Sequence, residues 1–271
     1  MFKIRSLLKS EIKYLKGLPP EDWNLNLPEL VSFHYGYPYF FPIIAELNGK
    51  IIGCANGFLN GSVGWLGNII VSPENRKQGI GYQLTTHLVE LFKEKGCTTQ
   101  LLIASKMGES IYQKIGFKTT SSYQFYKQGN ESKIYKLNFK LKKIRKQDYD
   151  LLRNFDFEIS GEERFHLIRR FFSTGLICRD EGLNNIRGIY LSDFGSGLIF
   201  AKDPEIGLEL MKYRFNNGKT KIVVPSENTG AIDFLQKEGY QLDVTLPRMV
   251  LGNEVNWKPG SIFNRASGYC G

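Results

Sequence analysis

The sequence predicts an α/β (α+β) protein of two like domains, each a mixed, mostly antiparallel sheet flanked by helices. Three observations carry that expectation. The chain has 271 residues, which suits two domains at the roughly 100–200 residues usual for one. Apolar runs of strand length alternate with segments whose apolar residues recur at helical spacing. The string IYQKIGF, Ile111 to Phe117, returns as FLQKEGY, Phe234 to Tyr240, with Lys114 and Lys237 standing 123 residues apart. A self-similarity of that period, close to half the chain, marks one helix-to-strand corner built twice. Domains of residues 1–130 and 131–271 follow.

In the first half, FKIRSL reads as a strand, and Ser10 caps a helix EIKYLKGL that stops at Pro19 and Pro20. The aromatic stretch LVSFHYGYPYFFP holds two prolines and a glycine, which discourage long regular structure. IIAELNGKIIGCANGFL reads as two strands turning at Asn48-Gly49, the strongest hairpin signal in the chain. VGWLGNIIV is a third long strand, and GYQLTTHLVELFKEKG is a helix with Leu84, Leu88, Leu91 and Phe92 on one side and Gly96 as its C-cap. TQLLIA is a buried strand, GESIYQKIG a short helix ended by Gly116, and FKTTSSYQFYK a closing strand or hairpin.

The second half repeats the order. FKLKKIR and KQDYDLLRNF mirror the first strand and helix, and EERFHLIRRFF adds a helix. GLICRD, IRGIYLSD and GSGLIFAK are strands, IGLELMKYRFNNG a helix, KTKIVV a buried strand, NTGAIDFLQKEG a helix stopped by Gly239, and YQLDVTLPRMV the closing strand.

Composition narrows the function classes. A chain with 42% hydrophobic and 13% aromatic residues is globular. No run reaches the roughly 18 apolar residues of a membrane span, and the N-terminus is too interrupted by charge for a signal peptide, so a cytoplasmic protein with no membrane partner is expected. Cys54, Cys97, Cys178 and Cys270 have neither CxxC nor Cys/His ligand spacing, which favours reduced thiols and no metal. The net charge of +9 divides into +5 for residues 1–130 and +4 for the rest. The dense cluster KLNFKLKKIRK, Lys136 to Lys146, alternates with Leu137, Phe139, Leu141 and Ile144 and reads as a strand with a solvated basic face rather than a nucleic-acid site. Such charge equally suits a small polyanionic cofactor.

The chemistry lies in NIIVSPENRKQGIGYQL, where a buried strand runs through Arg76-x-x-Gly79-x-Gly81 directly into a helix. Glycines let backbone N–H groups approach an anion, and a helix N-terminus favours phosphate. The bland alternative is a tight strand-to-helix turn. The pattern is neither GxGxxG nor Walker A, since no Gly-Lys-Ser/Thr follows.

At these residues the sequence resembles the GNAT superfamily of acetyl-CoA-dependent N-acetyltransferases, whose signature is a Gln/Arg-x-x-Gly-x-Gly/Ala loop after a hydrophobic strand. VSPENRKQGIG fits it with Val71 and Pro73 in front, and ASKMGESIYQKIGF looks like the family's later helix, with a tyrosine shortly before Gly-Phe. The resemblance covers roughly residues 1–130, and the second half looks like the degenerate domain of tandem members. It implies that amides of Gln78, Gly79, Ile80, Gly81 and Tyr82 bind the CoA pyrophosphate with Arg76 and Lys77 near the phosphates. It further implies that Ile69, Ile70 and Val71 pair with the pantetheine arm and hold the thioester carbonyl, and that Tyr112 protonates the departing thiolate. A phenol of pKa ~10 facing a thiol of ~8.5 donates at neutral pH with little retuning. The alternative for Tyr112 is a ring packed in the core.

The second copy has Leu235 in the tyrosine's place, and FAKDPEIGLEL lacks the loop spacing, so the first domain alone is expected to bind acetyl-CoA. The glutamate that many family members place before the loop is missing, because that neighbourhood reads GWLGN. Deprotonation of the acceptor amine goes either through water held by Asn68 and strand carbonyls, or through His34 or Glu29; His87 and His166 read as surface or packing residues. Phe33, Tyr35, Tyr37, Tyr39, Phe40 and Phe41 either line an acceptor pocket or, at about two to one, cover the core. The leading reading is an N-acetyltransferase acting by direct attack of a small-molecule or peptide amine. Against it stand a non-catalytic acyl-CoA sensor and a basic nucleic-acid module.

Overall fold

A computed structural model describes the whole chain except residues 24, 130–132, 181–184 and 270–271. Cys270 therefore lies outside the described residues. Two compact units emerge, Met1–Lys118 with Met249–Glu254, and Thr119–Arg248 with Val255–Gly271. Among the described residues no helix is long and apolar enough to cross a membrane.

The first unit contains β1 (Lys3–Ser6), α1 (Leu27–His34), β2 (Phe40–Leu47), β3 (Lys50–Asn60), β4 (Val63–Val71), α2 (Ile80–Glu94), β5 (Thr99–Ile103) and α3 (Glu109–Ile115). β1 to β4 pair antiparallel in chain order, and β5 joins β4 in parallel. The β2–β3 hairpin turns at Asn48 and Gly49, both at positive φ (49° and 75°), the backbone a two-residue type I′ turn requires. α2 drives Leu84, Leu88 and Phe92, all fully buried, onto one face of the sheet. It comes close because the strands beneath carry no side chain there: a Cβ on Gly57 would lie 2.7 Å from Phe92 Cζ, and one on Gly64 2.5 Å from its Cδ2. Apolar burial at about 25 cal/mol/Å² is what fixes this helix, and with it the loop that precedes it.

The aromatic stretch departs from expectation. Asn26 accepts the Glu29 amide (3.3 Å) and Pro28 starts the helix, so Leu27–His34 is α-helical with Leu27 and Val31 fully buried. An Asn cap before a first-turn proline is a start signal, and it outweighs the proline as a breaker. Ser10, in turn, is not a cap. Residues Lys9–Gly17 form a 3-10 helix whose start is held by Glu11, which accepts the Leu8 amide at 2.9 Å and is gripped by both ends of the Arg5 guanidinium.

The remaining elements are β6 (Lys118–Lys127), β7 (Lys142–Lys143), α4 (Tyr149–Ser160), α5 (Phe165–Ile168), β8 (Leu176–Arg179), β9 (Ile186–Leu191), β10 (Leu198–Ala201), α6 (Pro204–Asn216), β11 (Lys221–Pro225), α7 (Thr229–Lys237), β12 (Gln241–Gly252) and β13 (Ile262–Asn264), all in the second unit except Lys118 and the end of β12 from Met249. One sheet has the order β13-β10-β9-β8-β7, and in the other β6 lies between β12 and β11. The boundary expected at residue 130 moves to Lys118, because β6 pairs with β11 over five residues from Lys127↔Lys221 to Tyr123↔Pro225. β5 is buried along most of its length and needs a partner on its outer edge; Met249–Glu254 supplies it, with the Asn253 amide donating to Thr98 O (2.9 Å) and Thr99 Oγ1 to Asn253 O (2.8 Å). Local sequence cannot show that two strands trade places. The basic run Lys136–Lys146 is also a correction, for only Lys142 and Lys143 are strand, paired with Ile177 and Leu176.

Candidate active site

β4 is where the sheet stops being regular. Cys54 pairs with Ile70 but Asn56 pairs with Gly67, so β4 carries one residue more than β3 over that span. This is a β-bulge, and Asn68 absorbs it at φ +51°, a left-handed conformation that Asn tolerates better than most side chains. Parallel pairing to β5 is confined to Val63–Trp65 against Thr99–Leu101. Ile69, Ile70 and Val71 thus follow the bulge in a stretch of β4 with no ladder to β5. Asn68 O accepts the Cys54 thiol at 3.7 Å, and its buried Nδ2 has no partner among the described residues.

Beyond Val71 a single 3-10 turn, Pro73–Asn75, leads into Arg76-Lys77-Gln78-Gly79, where Lys77 (φ +62°) and Gly79 (φ +79°) are both left-handed. α2 then starts with Gly79 as N-cap and no capping side chain. The first intrahelical bond is Gln83 N–H to Gly79 O at 3.0 Å. The amides of Gln78, Gly79, Ile80, Gly81 and Tyr82 meet no acceptor among the described residues. Left-handed turns followed by uncapped helical amides form a concave donor set with the positive end of the helix behind it, which is how a backbone holds an anion. Lys77, Gln78 and Gly79 are exposed, as is Tyr82. Arg76 is half-buried, with Nε donating to Val71 O (3.1 Å), so it clips the loop to the end of β4. The residues present therefore fit a phosphate group.

Tyr112 projects from α3 into the core shared with Ile80, Leu84 and Ala104, edge-on to Phe117 at 6.2 Å between ring centroids. Its neighbour Ile111 reaches α2: a Cβ on Gly81 would lie 3.6 Å from Ile111 Cδ1. The glycine loop and the tyrosine helix are thus packed side by side. Tyr112 is 8% exposed, its hydroxyl makes no hydrogen bond among the described residues, and burial pushes the phenol up to about 12. The sequence estimate of ~10 is corrected by that desolvation.

His34 lies across the sheet. Gly57 faces Phe92 of α2, so the next residue, Phe58, faces the other side, and His34 packs on Phe58 and Phe40 there. The imidazole is 3% exposed, with Nδ1 3.2 Å from Tyr39 Oη. Glu29 bonds the Asn26 amide group at 2.8 Å on the surface of α1. His87 is exposed on α2 and forms part of an open groove with Tyr82 and Glu90. Among the described residues no group of three or more His, Cys, Asp and Glu is placed to hold a metal ion.

The two copies of the corner share their left-handed glycine and two backbone hydrogen bonds. Gly116 and Gly239 are left-handed (φ +110° and +79°), their amides donate to Gln113 O and Gln236 O (3.0 and 3.1 Å), and the amides of Phe117 and Tyr240 donate to Tyr112 O and Leu235 O (3.0 and 2.9 Å). The helix preceding that strand differs. α6 opens on Asp203 and Pro204 without a left-handed turn, Asp203 carries a carboxylate to the helix start, and Gly207 is a packing glycine whose Cβ would lie 2.2 Å from Phe263. Sequence reasoning missed two residues at the first α3: Ser105, whose Oγ accepts the Gly108 amide at 3.3 Å, and Gly108 itself. The 123-residue offset, carried seven positions further back, reaches both.

Comparison with known proteins agrees with this geometry. A model of the acetyltransferase (GNAT) family matches residues 8–117. The uncharacterized N-acetyltransferase YitH of Bacillus subtilis is 28% identical over 230 residues, 80% of each chain. Among solved structures, an assigned acetyltransferase from Pyrococcus horikoshii superposes with a TM-score of 0.83 at 18% identity, covering 100% of this chain and 96% of its own. A tandem GNAT protein from the clavulanic acid biosynthesis pathway superposes with a TM-score of 0.61 at 11% identity, covering 93% and 98%. The bulged strand, the glycine loop and the tyrosine helix all lie within residues 8–117, the stretch that matches the GNAT acetyltransferase family.

Proposed function

We propose that the first unit transfers an acetyl group from acetyl-CoA to the amine of a small molecule or peptide, by direct attack of the amine. The observation that carries the reading is the uncapped donor set from Gln78 to Tyr82, seated beside the helix that bears Tyr112. Acetyl-CoA supplies the activated acyl group. The amides of Gln78 to Tyr82 hold its pyrophosphate, Lys77 adds an exposed positive charge, and Arg76 braces the loop. Ile69, Ile70 and Val71 offer backbone groups to the pantetheine arm and the thioester oxygen. Tyr112 Oη delivers a proton to the departing sulfur.

Cys54 stands beside the bulge, yet burial pushes its thiol up to about 12, so it stays protonated and offers no nucleophile for a covalent relay. That observation favours direct attack. Proton removal from the amine goes to water bound at the Asn68 carboxamide and strand carbonyls, since Asn68 Nδ2 has its hydrogen-bonding capacity unused. His34, enclosed by aromatic rings on the other side of the sheet, is the alternative base and needs that cage to open. The second unit opens α6 on a carboxylate and a proline, which disfavour a phosphate there.

The test pairs titration calorimetry with release of CoA thiol across a panel of amines. The reading expects one acetyl-CoA bound per chain and turnover with some amine. Two bound per chain, or tight binding without turnover on any amine, would move the function to a tandem or sensing protein.

A further inference from the structure

The first α3 and its copy share a cap, a C-terminal corner and a 123-residue offset, and within that frame one pair of positions changes together. Ser105 Oγ accepts the Gly108 amide at 3.3 Å, and Asn228 Oδ1, at the matching place, accepts the Ala231 amide at 3.0 Å. Four residues on stand Tyr112 and Leu235. A spacing of four puts both members of each pair on the same helix face, one turn apart. Where the helix carries leucine, the position below is a fully buried alanine. Where it carries tyrosine, the position is glycine.

The reason is visible at Gly108. A Cβ built there would lie 2.7 Å from Tyr112 Cε2, 2.9 Å from its Oη and 3.0 Å from Cζ. Real Cβ contacts do not come so close, so the phenol occupies the space that a side chain at residue 108 would fill. Gly108 is not at positive φ (−89°), so the backbone alone would accept alanine. Tyr112 is itself buried against Phe117 and the α2 core and cannot step aside freely. The glycine is there for the tyrosine.

We infer that Gly108 is a positioning residue for proton delivery: the missing side chain lets the Tyr112 hydroxyl lie over the start of α3, at the place from which it serves the leaving sulfur. The inference rests on the reading of Tyr112 as proton donor. A single methyl group at 108 must push the ring outward by a few tenths of an ångström or more, and displacement on the scale of 1 Å costs about 100-fold in a reaction that depends on positioning.

Gly108→Ala in the full chain tests this beside Tyr112→Phe and the double variant, with acetyl-CoA and an amine that the wild type acetylates. Gly108→Ala should lower kcat about 10- to 100-fold with KM for acetyl-CoA within twofold of wild type, and should add nothing in the Tyr112→Phe background, since the hydroxyl it misplaces is gone. A readout without an acceptor uses protein labelled with 3-fluorotyrosine, the Tyr112 fluorine signal being identified by its loss in Tyr112→Phe. That signal should move on addition of CoA in the wild type, and Gly108→Ala should change its starting position while leaving the other tyrosine signals in place. An unshifted Tyr112 signal in Gly108→Ala, or losses that multiply in the double variant, overturns the inference while the role of Tyr112 stands. Full activity in Tyr112→Phe removes the donor reading and the inference with it.

Discussion

Replacing Tyr112 by phenylalanine deletes one oxygen from a site where that oxygen makes no hydrogen bond among the described residues. No protein group is orphaned by the change, so stability should stay within about 0.5 kcal/mol of wild type. The catalytic effect is different. Burial alone raises the phenol to about 12, some 3.5 units above the ~8.5 of an ordinary thiol, and at 1.36 kcal/mol per unit complete transfer to a solvated thiolate would be uphill by about 5 kcal/mol. The same desolvation raises the basicity of a thiolate departing beside it, so the proton moves as the carbon–sulfur bond breaks rather than before. Loss of the donor should cost about 10²- to 10³-fold in kcat, about 3–4 kcal/mol of barrier, with acetyl-CoA affinity unchanged. The sign of the pH effect follows from the raised value. As the proposed donor, Tyr112 would act in its protonated form and impose no alkaline fall in rate until pH approaches 12, so kcat/KM should rise with pH as the acceptor amine loses its proton and show no loss up to pH 10. Thiol release followed between pH 6 and 10 measures both. A variant within threefold of wild type, or a wild-type alkaline limb near pH 8 that vanishes in the variant, would refute the reasoning.

Gly79→Ala places a Cβ in open space but at φ +79°, so it should cost about 1–2 kcal/mol in thermal unfolding and, by standing on the donor set, weaken acetyl-CoA at least tenfold by calorimetry. Asn68→Gly keeps the left-handed backbone and removes the carboxamide, whereas Asn68→Ala also strains the bulge. A kcat loss in both with a stability loss only in the alanine variant places the function in the side chain, and a fully active Asn68→Gly would return it to the backbone. Glu11, held down to about 2 chiefly by its hydrogen bonds to Arg5, stabilises the N-terminal segment above about pH 4.5 and loses that contribution as pH falls to about 2. With both side chains partly solvated, Glu11→Gln should cost about 1 kcal/mol in urea unfolding at pH 7 and nothing at pH 2.

Features set by neighbours in the chain were legible in the sequence. The Asn48-Gly49 turn, the span of α2 with its buried Leu84, Leu88 and Phe92, and the stops at Gly96, Gly116 and Gly239 each rest on a local rule of periodicity or backbone freedom. The glycine loop was legible for the same reason, since its donors are consecutive amides. What sequence could not show depends on distant partners: β6 left the first unit because its edge matched β11, and the edge of β5 was filled by residues about 150 positions away. The bulge at Asn68 was hidden because it appears only in the mismatch of two strands, each regular when read alone.

Tyr112 shows how the two kinds of information meet. Its helix could be read locally and its partner loop by motif, but its environment belongs to tertiary packing, which alone raises the phenol and presses it onto residue 108. The repeat supplies what a single copy cannot. The hydrogen bonds of the corner persist in the second unit, where Leu235 needs no donor geometry and Ala231 fills the space beneath it. A constraint present in both copies, such as the left-handed glycine after the helix, is therefore one that the fold imposes. A feature present only beside the glycine loop, the glycine under the tyrosine together with the left-handed turn into α2, is one that the fold did without when the loop was gone, and so fits the proposed chemistry.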